Sequence, residues 1–560
     1  MGNPLETFAE ELCDGPRLST DAEQPAERVV EASPMRQLAR SGLAVATGTA
    51  LSRVTGFLRV AALAAIGFAR LSDVYNVANS TPNIVYELLL GGILTASLVP
   101  LFVDYHERGD DRSTDAVNTF AIVALLTISA LGVIFAPLIA SIYSSRLTGS
   151  NAAAQQQLMV DLLRMFMPQI FFYGVTALFT AMLNARRKFA AAAFAPALNN
   201  IVVIAVLLTL PRLQAGRETV ESVLANRNEE WLLGLGTTLG VVAMTLILLP
   251  ALRSAGVRLH WVWEWRHPAV RQIMRLSGWT VGYVIANQIA FWVVLVLSYR
   301  TSGDTSAYIA AFTFFQLPHG IFTVSIMTVV GPELARASNA GDLNAFRRRF
   351  ASGLRVIALV VIPAGALMIV LAEPIVRGAL DYGRFSERSI VTTSSTLALF
   401  GVGLFAFSAY LYTIRAMYSR LDTRTPFLLN LLENTLNIAL AVALYPSLGV
   451  KGLALSWTIS YSIAAVVAWG ILDRRLGGLE GKRSATVMMR IVLSSAFGAG
   501  AAWLILSYLD PSTPLAAIAT VLLAGVVGGG IGIGGAAALG VPEIADLRAT
   551  LTRSPSASDL

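Results

Sequence analysis

Two neighbouring stretches decide the fold: residues 41–68, SGLAVATGTALSRVTGFLRVAALAAIGF, and residues 74–103, VYNVANSTPNIVYELLLGGILTASLVPLFV. Each is longer than the roughly 20 mostly apolar residues that a helix needs to cross a bilayer. Each also carries polar or charged side chains that recur every three or four residues, which places them on one face of a helix. The pair therefore predicts two adjacent membrane helices, each with a polar face.

The composition extends this pattern over most of the chain. Of 560 residues, 55% are hydrophobic and 14% are charged, whereas soluble domains carry about 25% charged residues. Apolar stretches recur at 41–68, 74–103, 116–143, 158–183, 190–210, 231–250, 272–299, 306–332, 350–372, 389–418, 426–446, 450–471, 486–508 and 513–539. We therefore predict an all-α polytopic membrane protein with 14 transmembrane helices.

Positive charge is distributed unevenly between the two sides of these spans. With both termini on one side, the tails and loops of that side hold 27 of the 42 Lys and Arg residues, the opposite loops hold 10, and five lie inside spans. Basic loops remain in the cytoplasm, so the split predicts a plasma-membrane protein with both termini cytoplasmic. It also accounts for the net charge of +7, and no nucleic-acid partner is predicted.

An internal repeat predicts the arrangement of the spans. The Ala-Met pair at 181–182 recurs at 416–417, and Pro82 recurs as Pro318, so the two offsets differ by one residue. Parallel repeats of this kind place a transport path between two halves. We expect two pseudo-symmetric six-helix lobes followed by two additional helices.

These lobes divide the sequence as follows. A disordered cytoplasmic tail is expected at 1–36, and a second cytoplasmic tail at 541–560. The remaining divisions are the N-lobe at 37–270 (spans 1–6), the C-lobe at 271–480 (spans 7–12), and spans 13 and 14 at 481–540.

Arginine inside a span is the clearest functional signal, because each central Arg costs about 2.5–3.5 kcal/mol on the insertion scale. The five are Arg53, Arg59, Arg164, Arg355 and Arg415. Arg164 and Arg355 lie near span starts, so we expect their side chains to reach back to the headgroup layer. Arg53 and Arg59 lie deeper and require water or a partner.

Polar stripes accompany the two deep arginines. The stripe on the first span comprises Thr49, Ser52, Thr55 and Arg59; the stripe on the second comprises Asn76, Asn79, Ser80, Asn83, Glu87, Gly91 and Thr95. Two interpretations follow. Glu87 opposite Arg59 or Arg53 forms a structural ion pair, or the stripes line a cavity that handles a charged substrate or coupling ions.

The second half carries weaker candidates. Arg415 shares a helical face with Ser408 and Tyr412 on the tenth span, and Glu433 lies on an asparagine-bearing face of the eleventh. The candidate cavity residues are Arg53, Arg59, Asp73, Asn83, Glu87, Arg415 and Glu433.

Signals of a soluble enzyme carry little weight. Gly530, Gly532 and Gly535 spell G-x-G-x-x-G, but inside an apolar run, which favours close helix packing over a dinucleotide site. With three Lys and four scattered His, no catalytic centre, metal site or cofactor is predicted. We expect the membrane potential or an ion gradient to drive transport.

The stretch SRVTGFLR (52–59), followed by SDVYNVA (72–78), Pro82-Asn83 and the Leu-Val-Pro at 98–100, resembles the MurJ (MviN) family of lipid II flippases. The resemblance covers roughly residues 37–475. That family belongs to the MOP exporter superfamily, to which MATE transporters also belong. It implies two six-helix lobes around a central cavity, with two C-terminal helices, here 481–540, forming a groove for a polyprenyl tail.

The resemblance implies movement of undecaprenyl-diphosphate-linked peptidoglycan precursor from the inner to the outer leaflet by alternating access. Arg53 and Arg59 match arginines that face the family's cavity, and Asp73 matches its acidic residue at the start of the second span. Guanidinium groups would meet the lipid diphosphate bidentately. Lipid II, membrane lipids and cell-wall synthesis or division proteins are the implied partners.

Two departures from the family pattern reduce the positive charge. Tyr86 and Glu87 stand where better-known members have basic residues, and Thr313 stands where they have an arginine. The chain is therefore either an actinobacterial-type member, with Glu87 as ion-pair partner or proton site, or a paralogue for another polyprenyl-linked glycan. A drug or cation antiporter of the superfamily is a third interpretation, and a non-transporting cell-wall scaffold with a sealed, apolar lobe interface is a fourth.

Overall fold

The computed structural model describes residues 34–544, except 68, 89–97, 146, 148–150, 214–218, 265, 270–277 and 510. The regular elements of the described part are all helices, and it contains no strand. The spans, cavity and clusters below all lie within the compact unit Ala44–Leu560. Most of the predicted tails, 1–36 and 541–560, lie outside the described residues.

The helices follow the predicted apolar stretches. The first ten described helices are α1 (Pro34–Ile66), α2 (Arg70–Tyr86), α3 (Val99–Arg108), α4 (Asp111–Ser144), α5 (Ala152–Phe166), α6 (Gln169–Ala185), α7 (Ala190–Leu213), α8 (Val220–Ala225), α9 (Arg227–Leu246) and α10 (Leu248–Ser254). Ten more are α11 (Gly278–Ser298), α12 (Asp304–Pro318), α13 (Val324–Asn339), α14 (Leu343–Val370), α15 (Ala372–Leu380), α16 (Glu387–Tyr418), α17 (Arg424–Leu448), α18 (Val450–Leu476), α19 (Gly481–Tyr508) and α20 (Pro514–Ala538).

Twelve stretches of the described residues are long and apolar enough to cross a membrane. Gly282–Ser298 adds a shorter apolar helix. The second predicted span, 74–103, begins in α2 and ends in α3, and residues 89–97 between them lie outside the described part. The predicted all-α membrane fold is therefore confirmed, and its 14 spans correspond to these twelve, the shorter helix and the partly described second span.

The two prolines of the internal repeat have similar surroundings. Pro82 lies inside α2, and the π-helical residues 87–88 follow it; Pro318 ends α12, and the π-helix His319–Thr323 follows it. Proline removes one backbone donor from a helix, and π-helical turns are frequent at functional sites. Spans 2 and 8 are thus interrupted at corresponding points.

Two large apolar cores account for most of the packing. One is built from buried residues between Ala62 and Tyr299, and the other mainly from residues between Val294 and Leu479. The second core contains a cluster of aromatic rings around Trp457, whose ring centroid lies 4.7 Å from that of Phe315. Each half of the chain therefore buries its own apolar surface.

The last two described helices form a tight hairpin. A Cβ atom on Gly498 of α19 would lie 2.3 Å from the carbonyl oxygen of Gly528 of α20, so only glycine fits there. On Gly535, a Cβ would lie 3.1 Å from the Cβ of Ser494. Small residues allow such close backbone approach in membranes. Of the predicted glycine motif of α20, Gly535 has this packing role, whereas a Cβ on Gly530 would meet no described atom within 4 Å.

A buried ion cluster joins this hairpin to α14. The Arg355 guanidinium donates to Glu543, just beyond α20, and to Glu480, just before α19, at 3.2 Å. The side chains of Arg355 and Glu543 are 5% and 3% exposed. The expectation that Arg355 reaches the headgroup layer is therefore wrong, because two carboxylates from outside α14 neutralise it. Arg164, in contrast, keeps half of its side chain exposed.

The loop after α10 has no regular secondary structure over residues 257–264. His260 and Val262 donate their backbone N–H groups to Asp115 and Thr119 of α4, at 3.2 and 3.0 Å. This pairing leaves Trp261 exposed, and Trp263, two residues on, is exposed as well.

Replacing Arg355 with alanine should destabilise the chain, because Glu543 would stay buried without its partner. Removing one member of a buried ion pair costs about 3–5 kcal/mol. Thermal unfolding of the purified protein in detergent measures this loss. Arg164→Ala is the matched control and should cost less than about 0.5 kcal/mol; equal losses in the two variants would contradict the proposed importance of the cluster.

Candidate functional site

A polar cavity of about 390 Å³ lies between α1, α2 and α7 of the first half and α12 of the second. Its polar wall comes from the stripes on the first two spans, with Ser52 and Arg59 on α1 and Asn76 and Asn79 on α2. Thr313, for which the sequence resemblance implies an arginine in the family, lines the opposite wall. The two predicted polar faces therefore border one chamber.

Arg53 and Arg59 both line this cavity. They are six positions apart in the sequence, so their Cα atoms lie about 9 Å apart along the helix axis. Arg53 reaches toward the π-helix of the second half: its Nη2 atom would lie 3.8 Å from a Cβ atom on Gly320. Two cations thus line the cavity at different depths.

Asn200 of α7 fixes the position of α1 beside the cavity. Its side-chain amide donates to the carbonyl oxygen of Ser52 and to the hydroxyl of Thr55, both at 3.2 Å. Gly56 lies on the same face, where a Cβ would be only 3.5 Å from the Asn200 nitrogen. The small residues of this face therefore pack against α7, while the side chains of Arg53 and Arg59 remain available to a ligand in the cavity.

No described carboxylate pairs with either cavity arginine: the ion pairs found among the described residues do not include Arg53, Arg59 or Glu87. Glu87 is half-buried on the π-helical turn after α2 and is not part of the cavity lining. The geometry therefore favours the interpretation of the stripes as a cavity over the structural ion pair.

Asp73 connects the two halves at one end of the cavity. Its fully buried carboxylate accepts the backbone N–H groups of Gly303 and Ser306 at 2.6 and 3.0 Å, and the Ser306 hydroxyl at 2.8 Å. Gly303 has φ +90°, which favours glycine, and precedes α12 without a cap of its own. A carboxylate from α2 therefore caps a helix of the other half.

Further contacts join the halves at the same end. The Arg70 guanidinium donates to the carbonyl oxygen of Tyr299 at 2.5 Å, and the Arg384 backbone N–H donates to the carbonyl oxygen of Ala65 at 3.0 Å. Together with the Asp73 cap we name these contacts the latch. Along α1, Arg53 is exposed, Arg59 is half-buried and Leu63 is buried, so the cavity narrows toward the latch.

The other predicted site residues are dispersed. Asn83 points back to its own helix and donates to the carbonyl oxygen of Asn79 at 3.4 Å. Arg415 is exposed near the end of α16, and Glu433 is buried in α17. None of these three lines the cavity.

Several important residues were not predicted. Ser306 lines the cavity and donates to Asp73, and His319 lies in the π-helix, where its Nδ1 is 3.0 Å from the Ser408 hydroxyl. The only available signals were the polar start of the eighth span and a histidine directly after Pro318.

A second, apolar recess of about 460 Å³ lies where α14, α16 and α18 meet the start of α19. Its walls include Phe405, Ala409, Trp469 and Met488. Its size and apolar walls suit the binding of an apolar chain.

Comparison with known proteins identifies the arrangement. A family profile described as "Lipid II flippase MurJ" matches residues 63–521. The "Probable lipid II flippase MurJ" of Rhizobium meliloti (strain 1021) is 28% identical over 528 residues, 91% of this chain and 95% of the relative. A solved structure titled "Lipid II flippase MurJ, inward closed conformation" has a TM-score of 0.71 at 20% identity and covers 91% of this chain and 99% of that one. An inward-facing multidrug MATE transporter of the MOP superfamily has a TM-score of 0.62 at 14% identity. The match covers 76% of this chain and 95% of the transporter.

Glu87→Gln should change the free energy of unfolding by less than about 1 kcal/mol, because its carboxylate has no cationic partner among the described residues. Breaking a buried pair with Arg59 or Arg53 would instead cost about 3–5 kcal/mol. Thermal unfolding in detergent distinguishes the two. If Glu87→Gln and Arg59→Gln lost similarly large amounts of unfolding free energy, the ion-pair interpretation would be correct instead.

Proposed function

This chain belongs to the lipid II flippase MurJ family of membrane proteins, and from that premise we propose how its cavity moves lipid II. Arg53 and Arg59 bind the diphosphate, the cavity alternates between the two sides of the membrane, and the lipid-linked precursor passes from the inner to the outer leaflet. No catalytic step is part of this cycle.

The two unpaired arginines are the observation that carries the proposal. Arg53 is exposed and Arg59 is half-buried at the cavity, and no described carboxylate pairs with either, so both guanidinium groups can bind an anion that enters the membrane interior, where an unpaired charge is costly. A diphosphate is the complementary ligand, because guanidinium groups bind phosphate oxygens through two parallel hydrogen bonds. The asparagines of α2 add uncharged donors along the same wall.

The size of the cavity indicates which part of the substrate enters. Its volume of about 390 Å³ lies near the lower end of the roughly 300–1,000 Å³ typical of small-molecule sites. We assign the diphosphate to this chamber and expect the lobes to separate before the disaccharide and peptide can follow. The polyprenyl tail stays in lipid, and the apolar recess beside α19 is the site we assign to part of it.

The latch defines the proposed state of the transporter. If the termini are cytoplasmic, as charge distribution predicts, the end of α1 and the start of α12 face outward. The latch then closes the cavity to the outside, and Arg53 marks its inward mouth. Opening requires Asp73 to release α12.

An electrical driving force suits this arrangement. The empty cavity carries two positive charges, and an inside-negative potential supplies about 2.3 kcal/mol per charge per 100 mV, so the potential returns the unloaded carrier. Membrane lipids and cell-wall synthesis proteins are the further partners we propose.

A second candidate substrate class is another polyprenyl-diphosphate glycan. Thr313 and the position of Glu87 leave the cavity with less positive charge than the family resemblance implies, and a diphosphate alone does not identify the attached sugar. An assay that compares the transport of purified lipid II with that of a lipid-linked polysaccharide unit distinguishes these two substrate classes.

Arg59→Ala should abolish rescue of a bacterium depleted of its own MurJ, with normal expression and membrane insertion. Charge-assisted hydrogen bonds contribute about 1.5–3 kcal/mol each and the proposed Arg59 contact contains two, so affinity for lipid II should fall at least about 100-fold. Arg59→Lys keeps the charge and should rescue partially, and Arg164→Ala should rescue fully. Full rescue by Arg59→Ala would overturn the proposed role.

Asp73→Ala should open the latch. In a Cys13→Ser background, Thr313→Cys reports access to the cavity from outside by a membrane-impermeant thiol reagent in right-side-out vesicles. Loss of charge-assisted hydrogen bonds worth about 1.5–3 kcal/mol each should raise the labelling rate at least about tenfold.

Asp110→Ala is the control for this experiment. Asp110 also caps a helix, and hydrogen bonds from Ser113 hold its pKa below the usual range, but it caps α4 of its own half. Its loss should leave labelling unchanged. Equal labelling in the Asp73 and Asp110 variants would refute the latch.

A further inference from the structure

Glu433 is an ionisable residue in the interior of a membrane helix, and it has no hydrogen-bond partner within the described part of the chain. It lies in the middle of α17 and is 1% exposed. Both of its carboxylate oxygens are buried, and neither makes a hydrogen bond to another described residue. Ionisable residues at such depth are costly and usually functional.

The neighbouring asparagines on the same helix face all make side-chain hydrogen bonds, although the Oδ1 atom of Asn430 has no described partner. Asn430 and Asn434 both donate to the Oδ1 atom of Asn287 in α11, at 3.2 and 3.3 Å. Asn437 accepts the hydroxyl of Ser456 at 3.0 Å. These amides connect helices, which is the usual role of such residues in membranes, whereas Glu433 makes no such contact to a described residue.

Among the described residues, the titratable groups that face the Glu433 carboxyl from the surrounding helices are tyrosines. They are Tyr283 of α11, Tyr308 of α12, Tyr410 of α16 and Tyr461 of α18. No described cation pairs with Glu433, and the Tyr410 hydroxyl also lacks a described partner. The surroundings therefore offer hydroxyl groups but no positive charge.

A carboxylate in such a place is destabilised, because burial removes water and no described cation replaces it; only the Tyr461 hydroxyl favours the charged form, and its effect is smaller than that of burial. The neutral acid fits better, since it loses the charge and gains an O–H donor that a tyrosine oxygen can accept. A single carboxyl among hydroxyls suits a proton, whereas a metal ion requires a larger set of oxygen ligands.

We propose that Glu433 is a proton-binding site of the C-lobe, protonated in the closed state described here and deprotonated when the tyrosine cluster opens to water. One proton binds the carboxylate to form the neutral acid, and the same proton leaves on opening. Because binding and conformation are reciprocally coupled, a proton gradient then biases the transport cycle. This coupling rests on the proposed flippase function, but proton binding itself does not.

The first experiment measures proton binding without transport. Infrared difference spectroscopy of the full-length protein in detergent, at neutral pH, should show the C=O stretch of a protonated carboxylic acid that disappears in Glu433→Gln. The control Glu373→Gln, at an exposed carboxylate that pairs with Arg377, should leave that band unchanged. Absence of the band in the parent protein, or its persistence in Glu433→Gln, would overturn the proposal.

The second experiment measures coupling in proteoliposomes, with the membrane potential clamped and fluorescently labelled lipid II as probe. One unit of pH gradient should change the initial rate by up to about tenfold in the parent protein, and not in Glu433→Gln. Glu433→Asp keeps a titratable group and should retain a weakened response to the pH gradient. This variant tests whether misfolding, and not loss of the carboxyl group, explains the lost response of Glu433→Gln.

The outcomes separate the two proposals. If no gradient moves lipid II but the infrared band depends on Glu433, the flippase function fails and the proton site stands. If lipid II moves with an unchanged pH response in Glu433→Gln, or only with sodium, the proton site fails and the flippase function stands.

Discussion

The cost of charge inside a membrane governs this structure. Arg355 shows the structural solution: two carboxylates surround the guanidinium, and the cluster holds the last helical hairpin against α14. Arg53 and Arg59 show the opposite arrangement, since each lines a polar cavity without a described carboxylate partner. The same residue type thus serves packing in one place and, in the proposed function, ligand binding in another, and the difference lies in what surrounds it.

The two halves are held together by an interaction that neither half could make alone. Gly303 gives α12 a tight start but no side-chain cap, and Asp73 of α2 supplies that cap from the other half. A helix N-terminus attracts negative charge only over its first turn. The contact is therefore strong when the halves meet and vanishes after a small separation, which suits a latch.

Much of the fold could be predicted from the sequence, because span length and apolar composition are local properties that the bilayer enforces. The stripe containing Arg59 was visible for the same reason: helical periodicity places its residues on one face. The partner of Asp73 was not visible, since Ser306 lies more than 230 residues away and its role depends on how two lobes meet. The prediction that Arg355 reaches the headgroup layer was wrong because its position near a span start does not reveal its partner Glu543, which follows the last helix.

Ser306 links the cavity to the latch. Its side chain lines the chamber, receives a hydrogen bond from Asn76 at 3.0 Å and donates one to Asp73 at 2.8 Å. In the proposed cycle, a diphosphate at the arginines brings negative charge toward this group and competes with Asp73 for the same donors. A ligand that binds the unlatched state more tightly must itself weaken the latch, because the coupling is reciprocal. In this proposal, substrate binding and opening to the far side are coupled through one hydroxyl group, without a separate relay between the lobes.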